Sequence, residues 1–385
     1  MKCIHCSTEN TYKDRKSGSS PRCKKCHHPF AFEPKTDALT ISDTLFEKAI
    51  KDVSADGTLA FSAKQLWYEV NRRLLARKTL SCGAPVLILA LIGAGLIAGN
   101  RHGGIGLLGV FALIAAAAVA PKKPKKPTGP RYPKMPFETF ERTYLNRWIA
   151  VHGAIPKLLA PASRKVNVPW AGYAPDGSQL AGHGGAPDAA AYSFDRALIT
   201  DHADIAEMLV ANHFHFENNC AILSVDGYPG GTTDTIKTML NRNPNLKVFA
   251  LHNATIAGCE MARKMRQNNW FPNPSVRIID LGLRPLHVIK GSLIAEQRSP
   301  VKFPVGQTST SLSPEEIAWL ELGNTAELHA LRPNKLMRAI YQGFARAGQT
   351  DNAQVDDDGI ILVDSGPSIW IYDSGMDVYA SDSFG

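Results

Sequence analysis

The sequence predicts a multi-domain chain: an N-terminal zinc ribbon, a two-helix transmembrane hairpin, and a C-terminal α/β domain with a mostly parallel sheet. Three observations predict it. Cys3, Cys6, Cys23 and Cys26 stand as CxxC-x16-CxxC. Two apolar segments without a charge, 82–99 and 103–120, are separated only by Asn100, Arg101 and His102. From Arg196 onward, short apolar strands alternate with helical stretches, the pattern of a parallel sheet covered on both faces. The expected units are a ribbon over 1–36, a small helical connector over 37–80, the hairpin over 82–120, a Lys/Pro-rich linker over 121–136 and the α/β domain over 137–385.

The cysteine spacing suits two knuckles that supply four thiolates to one tetrahedral zinc. Four sulfurs close the coordination shell, so the expected Zn²⁺ is structural and staples a core too small to fold alone. The chain has seven cysteines, an odd number, which argues against a disulfide framework. Residues 37–78 predict a helix capped by Ser42 and Asp43, a short strand over 58–61, and a second helix capped by Ser62 with Leu66, Trp67, Val70 and Leu74 on one face. That order suits a winged-helix fragment as well as a plain connector.

Eighteen helical residues span roughly 27 Å, close to the hydrocarbon thickness of a bilayer. Arg72, Arg73, Arg77 and Lys78 precede the hairpin and Lys122, Lys123, Lys125 and Lys126 follow it. The positive-inside bias then predicts an integral membrane protein with both termini cytoplasmic. The Lys-rich linker predicts contact with anionic headgroups. The net charge of +8 is unevenly placed: residues 1–78 carry 15 Lys+Arg against 9 Asp+Glu, whereas 135–385 carry 21 against 26. An acidic balance speaks against a broad nucleic-acid grip by the large domain and leaves that role to the ribbon and linker.

In the α/β domain, a helix is expected over 137–152, strands over 197–200, 220–225, 246–251 and 276–279, and helices over 203–212, near 232–243 and over 255–267. HFHF at 213–216 reads as an edge strand. Ser313 and Glu316 form a capping box, a helix follows over 333–347, and 360–363 with 369–372 read as a hairpin. Ligands of such sheets sit beyond the carboxyl ends of the strands. Those ends carry Asp201 and His202, Asp226 and Gly227, His252 and Asn253, and Asp280. Asp201 and Asp226 are the candidate catalytic acids; His202, Gly227, His252 and Asn253 are candidate ligand contacts. No GxxxxGK[ST], HExxH or GxSxG motif is present, which excludes P-loop, zincin and nucleophile-elbow chemistry.

The run from Ala197 to Gly258 resembles the Toprim domain of type IIB topoisomerase A subunits. The strand ending at Asp201, the strand ending in Gly227-Tyr228-Pro229 and the LxxAxxxG register from Leu251 to Gly258 carry the resemblance. Leu281-Gly282-Leu283-Arg284-Pro285 extends it. In that family three acids hold Mg²⁺ for phosphodiester transesterification. Here Asp201 takes the first place, but Asn253 and Thr255 stand where the other two acids would be. An amide and a hydroxyl do not replace two anionic ligands for a hard dication. The resemblance thus implies a degenerate fold without Mg²⁺ and without the family's reaction: a domain that binds a protein partner or a ligand. The alternatives are a metal-dependent phosphoryl-transfer enzyme using Asp201 and Asp226, and a nucleic-acid binder working through the ribbon and linker. Lys64-Gln65-Leu66-Trp67-Tyr68 resembles the family's nucleophile motif, with Tyr68 at the tyrosine's place. Its position beside the apolar segments, cut off by them from the Toprim-like run, favours an interfacial aromatic anchor instead.

Overall fold

The computed structural model describes residues 1–16, 21–76, 130–160, 194, 196–228, 247–268, 270–271, 276–291, 293–302, 312–349 and 360–362. The large domain is built on five parallel strands: β1 (Arg196–Thr200), β2 (Cys220–Ser224), β3 (Lys247–Leu251), β4 (Arg277–Asp280) and, at the edge, Ile360–Leu362. Their order is β2-β1-β3-β4 and then the Ile360–Leu362 strand. Successive side chains of a strand point to opposite faces. Accordingly Leu198, Ile222, Phe249 and Ile279 enter one apolar core and Ile199, Leu223, Ala250 and Ile278 the other. With both faces covered, the strands are nearly all apolar, and the first polar residues fall where the strands leave the sheet.

Before the sheet come α1 (Tyr12–Lys16), α2 (Asp43–Val53), α3 (Ala63–Ala76), α4 (Phe137–Thr139), a π-helical turn Phe140–Leu145 and α5 (Asn146–His152). Within the domain lie α6 (Ala203–Ala211), α7 (Phe214–Glu217), α8 (Ile256–Cys259), α9 (Met261–Gln267), α10 (Pro285–Gly291), α11 (Pro314–Glu321), a 3₁₀ turn Leu328–Ala330 and α12 (Pro333–Gln349). Two short strands, Glu296–Gln297 and Asn324–Thr325, pair antiparallel. Helices α2 and α3 share a core with Phe140, Tyr144 and Trp148, so 37–76 and 130–155 form one helical module.

The transmembrane hairpin, and with it the integral-membrane placement with both termini cytoplasmic, is corrected. Among the described residues no helix is long and apolar enough to cross a membrane. The longest, α12, has 17 residues and carries Lys335, Arg338 and Arg346; a span needs ~20 predominantly apolar residues. The predicted hairpin at 82–120 lies outside the described residues, as do 121–129 of the linker and the helix expected near 232–243.

Four local expectations also change. HFHF is a short helix, not an edge strand, because His213 adopts a left-handed backbone (φ 59) that turns the chain. Ile360–Leu362 pairs in parallel with β4 rather than in a hairpin, and 369–372 lies outside the described residues. Residues 58–61 contribute a single bridge, Phe61 to Leu158, instead of a strand. Tyr68 is no interfacial anchor: it is fully buried between the helical module and the α/β domain. The capping box is as expected, with Ser313 accepting from the Glu316 N–H and the Glu316 carboxylate accepting from the Ser313 N–H.

Candidate functional site

The ribbon gathers the four cysteines. Their sulfurs all lie within 4.8 Å of one another, so they can hold a metal ion. Cys3 and Cys26 approach to 3.7 Å and Cys6 and Cys23 to 3.6 Å. Four sulfurs ~2.3 Å from one tetrahedral ion stand roughly 3.8 Å apart. The thiols are unequal. Burial opposes the thiolate at Cys23, yet the N–H groups of Cys26 and Lys25 and the Asn10 amide outweigh it and bring its pKa down to about 6. At Cys26 the His28 N–H favours the thiolate, but burial and the three neighbouring sulfurs push it up to about 12. The neighbouring sulfurs resist carrying four negative charges together, and a cation among them would relieve that repulsion, which fits a metal centre. Buried Asn10 supports the cluster: its amide donates to Cys23 Sγ at 3.5 Å while its Oδ1 accepts from the Lys24 N–H. No spacing rule marks Asn10 in the sequence.

The sheet does bring the predicted strand-end residues to one edge, but most of them are already engaged. Asn253, 1% exposed, accepts the Leu328 N–H at 2.7 Å through its Oδ1. The Thr255 hydroxyl accepts the Gly258 N–H and caps α8. His252 places Nδ1 2.9 Å from the Asn253 carbonyl and Nε2 3.0 Å from Asp280. Both neighbours are acceptors, so both ring nitrogens must donate and the ring is imidazolium. Burial opposes that charge, but Asp280 overcomes it and raises the His252 pKa; His252 in turn, against burial, lowers that of Asp280. Neither His252 nitrogen is left for a ligand.

Two glycines make this packing possible. A Cβ at Gly282 would stand 1.9 Å from the His252 ring, and one at Gly258 would stand 2.2 Å from the Asn253 carbonyl. Asp226 is half exposed and spends one oxygen on the Ala203 N–H at the start of α6, with His202 Nδ1 3.7 Å away. Gly227 takes a positive φ of 85 and closes the turn after β2.

Asp201 is the exception. Its Oδ2 accepts the Asn253 N–H at 2.8 Å, whereas Oδ1 is buried with no hydrogen-bond partner among the described residues. Burial raises its pKa despite the Asn253 N–H and the nearby imidazoles of His202, His252 and His329. Sequence reasoning missed His329, which is 4% exposed; neither of its ring nitrogens has a hydrogen-bond partner among the described residues. Glu327 lies 3.5 Å from Nδ1 and Asp204 4.0 Å from Nε2. Glu327 is itself held by Lys64 of α3 at 2.6 Å. Against burial, His329 and Lys64 bring its pKa down to about 2.

Helix α3 fastens the helical module to this edge. Glu69, also buried, receives two bonds of 2.9 Å from Arg332. Gln65 donates to the Leu331 carbonyl, and the Tyr68 hydroxyl donates to Glu296 at 2.6 Å. Burial, with Glu327 and Glu296 nearby, raises the Tyr68 pKa well above its ordinary value. Tyr68 is thus held as a neutral phenol in an interdomain contact.

No protein-family model matches the chain, and comparison with curated proteins finds no match.

Proposed function

We propose that the chain is a metal-stapled binding protein whose Toprim-like domain has lost the family's chemistry and holds a partner or ligand at the carboxyl edge of its sheet. One observation carries this reading: Asn253 and Thr255, at the places where the resemblance requires metal-binding acids, spend their side chains on backbone N–H groups of the protein itself. Oδ1 of Asp280 is likewise committed to His252 and the Gly282 N–H. Of the buried groups at this edge, Asp201 Oδ1 and the His329 imidazole remain for a ligand, both without hydrogen-bond partners among the described residues. A buried polar group of this kind costs free energy unless something pairs with it. The ribbon would be a docking module, and the Lys64, Gln65 and Glu69 contacts tie the helical module to the ligand-facing turn at 327–332.

A second reading, metal-dependent phosphoryl transfer through Asp201 and Asp226, draws support from the same uncommitted Asp201 oxygen. The test is incubation of the full chain with Mg²⁺ or Mn²⁺ and single- or double-stranded nucleic acid. The proposal expects no cleavage. Cleavage that requires the cation and disappears in Asp201→Ala would replace the first reading with the second.

A further inference from the structure

Asp201 and His329 leave polar atoms open inside the protein, and their surroundings restrict what can pair with them. Asp201 Oδ1 and both ring nitrogens of His329 are buried without hydrogen-bond partners among the described residues. The His329 ring sits between two carboxylates. Its Nε2 stands 4.0 Å from Asp204, in the first turn of α6, and its Nδ1 3.5 Å from Glu327. Asp204 is half exposed and forms the solvent side of this group. Glu207 follows one turn later on α6, where burial and the Asp204 charge raise its pKa.

Positive charge does not balance these acids. Lys64 and Arg298 both face Glu327, and His252 is held by Asp280. Among the described residues, no lysine or arginine forms an ion pair with Asp201, Asp204 or Glu207. An anionic ligand would therefore meet uncompensated carboxylates. The N-terminus of α6, which otherwise attracts anions, already has the Asp226 carboxylate on the Ala203 N–H. A metal ion is no better served. Among the described residues only the four cysteines bring three or more metal-ligand atoms together, so Asp201, Asp204, Glu327 and His329 do not converge on one ion. An organic ammonium imposes no coordination number, brings its own N–H donors and makes charge-assisted hydrogen bonds to carboxylates. A buried carboxylate is held best by an opposite charge that also donates to it.

We propose that the carboxyl edge of the sheet binds a small primary alkylammonium ion, whose N–H groups pair with Asp201 Oδ1 and Asp204 beside the His329 ring. This rests on the reading of the edge as a ligand site without a catalytic metal. The buried position of Asp201 Oδ1 and His329 selects a slender cationic head and rejects a quaternary one, which also lacks N–H donors.

The test is a saturation-transfer NMR titration of the zinc-loaded full chain with butylammonium chloride, against tetramethylammonium chloride at the same ionic strength. Saturable binding of butylammonium alone is expected. Asp201→Asn keeps an acceptor for the Asn253 N–H and puts an amide donor where the open oxygen stands, so affinity should fall roughly tenfold or more. Asp204→Asn changes a half-exposed side chain and leaves the fold intact. A loss of roughly threefold is required of it even where Asp201→Asn misfolds. No saturable butylammonium binding, equal binding of tetramethylammonium, or an affinity unchanged in Asp204→Asn overturns the proposal. Mn²⁺ is titrated in parallel. Failure of the amine while Mn²⁺ also stays free overturns the alkylammonium alone; Mn²⁺ binding that requires Asp201 overturns the metal-free reading beneath it as well.

Discussion

Asn253→Asp tests how the sheet's carboxyl edge tolerates the acid that the resemblance calls for. The exchange is nearly isosteric and keeps the acceptor for the Leu328 N–H. What it adds is a carboxylate, 1% exposed, in the same turn as Asp201, whose Oδ2 already takes the Asn253 N–H. The adjacent His252 charge is committed to Asp280 and offers little compensation. Desolvation and the like charge of Asp201 should raise the new pKa by about 2–3 units. At 1.36 kcal/mol per unit, the cost is about 3–4 kcal/mol once the unfolded chain is fully ionised. A raised acid pKa leaves stability intact below the unfolded value near ~3.9 and removes it as pH climbs to the folded value. Thermal unfolding should therefore show near-equality with wild type at pH 4 and a Tm lower by roughly 6–15 °C at pH 8. A variant as stable as wild type at pH 8, or a loss of equal size at both pH values, would refute the burial and crowding described for this edge.

Arg332→Met removes two bonds to buried Glu69 and one to Asp52. Arg72 and Arg73 remain beside Glu69, so denaturant unfolding at pH 7 should show a loss of about 2–3 kcal/mol, below the range for a fully orphaned charge. Against burial, these arginines hold the Glu69 pKa under its ordinary 4.5. The clamp's contribution is thus present above pH 4.5 and fades as pH falls through the folded value, and the gap between variant and wild type should narrow there. Gly282→Ala would drive a methyl into the His252 ring and should cost about 1–3 kcal/mol; the downfield imidazolium N–H resonances of His252 should shift or vanish with it. Chelation at neutral pH should expose four thiols to a colorimetric reagent and unfold the ribbon. Cys6→Ser should leave a chain that retains metal poorly even before chelator is added.

The legible parts of this chain are those coded by neighbours in sequence. Two CxxC pairs specify the sulfur cluster because each knuckle is a local turn. The runs at 197–200, 220–224 and 247–251 specify buried parallel strands because both faces are apolar, and the ends of those runs place Asp201, Asp226 and Asn253 at one edge. Ser313 and Glu316 are three residues apart and cap one helix. What escaped the sequence is coded by distance. Asp43 meets His152 across 109 positions, and Glu69 meets Arg332 across 263. His329 lies in a short 3₁₀ turn with no periodic signal. The alternation in HFHF looked like a strand because period 2 over four residues is weak evidence, and a left-handed His213 overrides it. Ile360–Leu362 was paired with its sequence neighbours, whereas its partner β4 lies 82 positions earlier at the first matched pair, Ile278 and Ile360. The membrane hairpin is read from apolar length and flanking positive charge, and among the described residues no helix has the length and apolarity to cross a bilayer.

Mn²⁺ uptake followed by electron paramagnetic resonance, on the zinc-loaded full chain and on Asp201→Ala, addresses the absence of a cation at the sheet edge most directly. The two proteins should give the same free-Mn²⁺ signal throughout the titration, since the side chains of Asn253 and Thr255 are spent on backbone N–H groups and Asp280 Oδ1 on His252 and the Gly282 N–H. A bound ion seen in wild type and lost in Asp201→Ala would show that the edge still holds a catalytic-type metal.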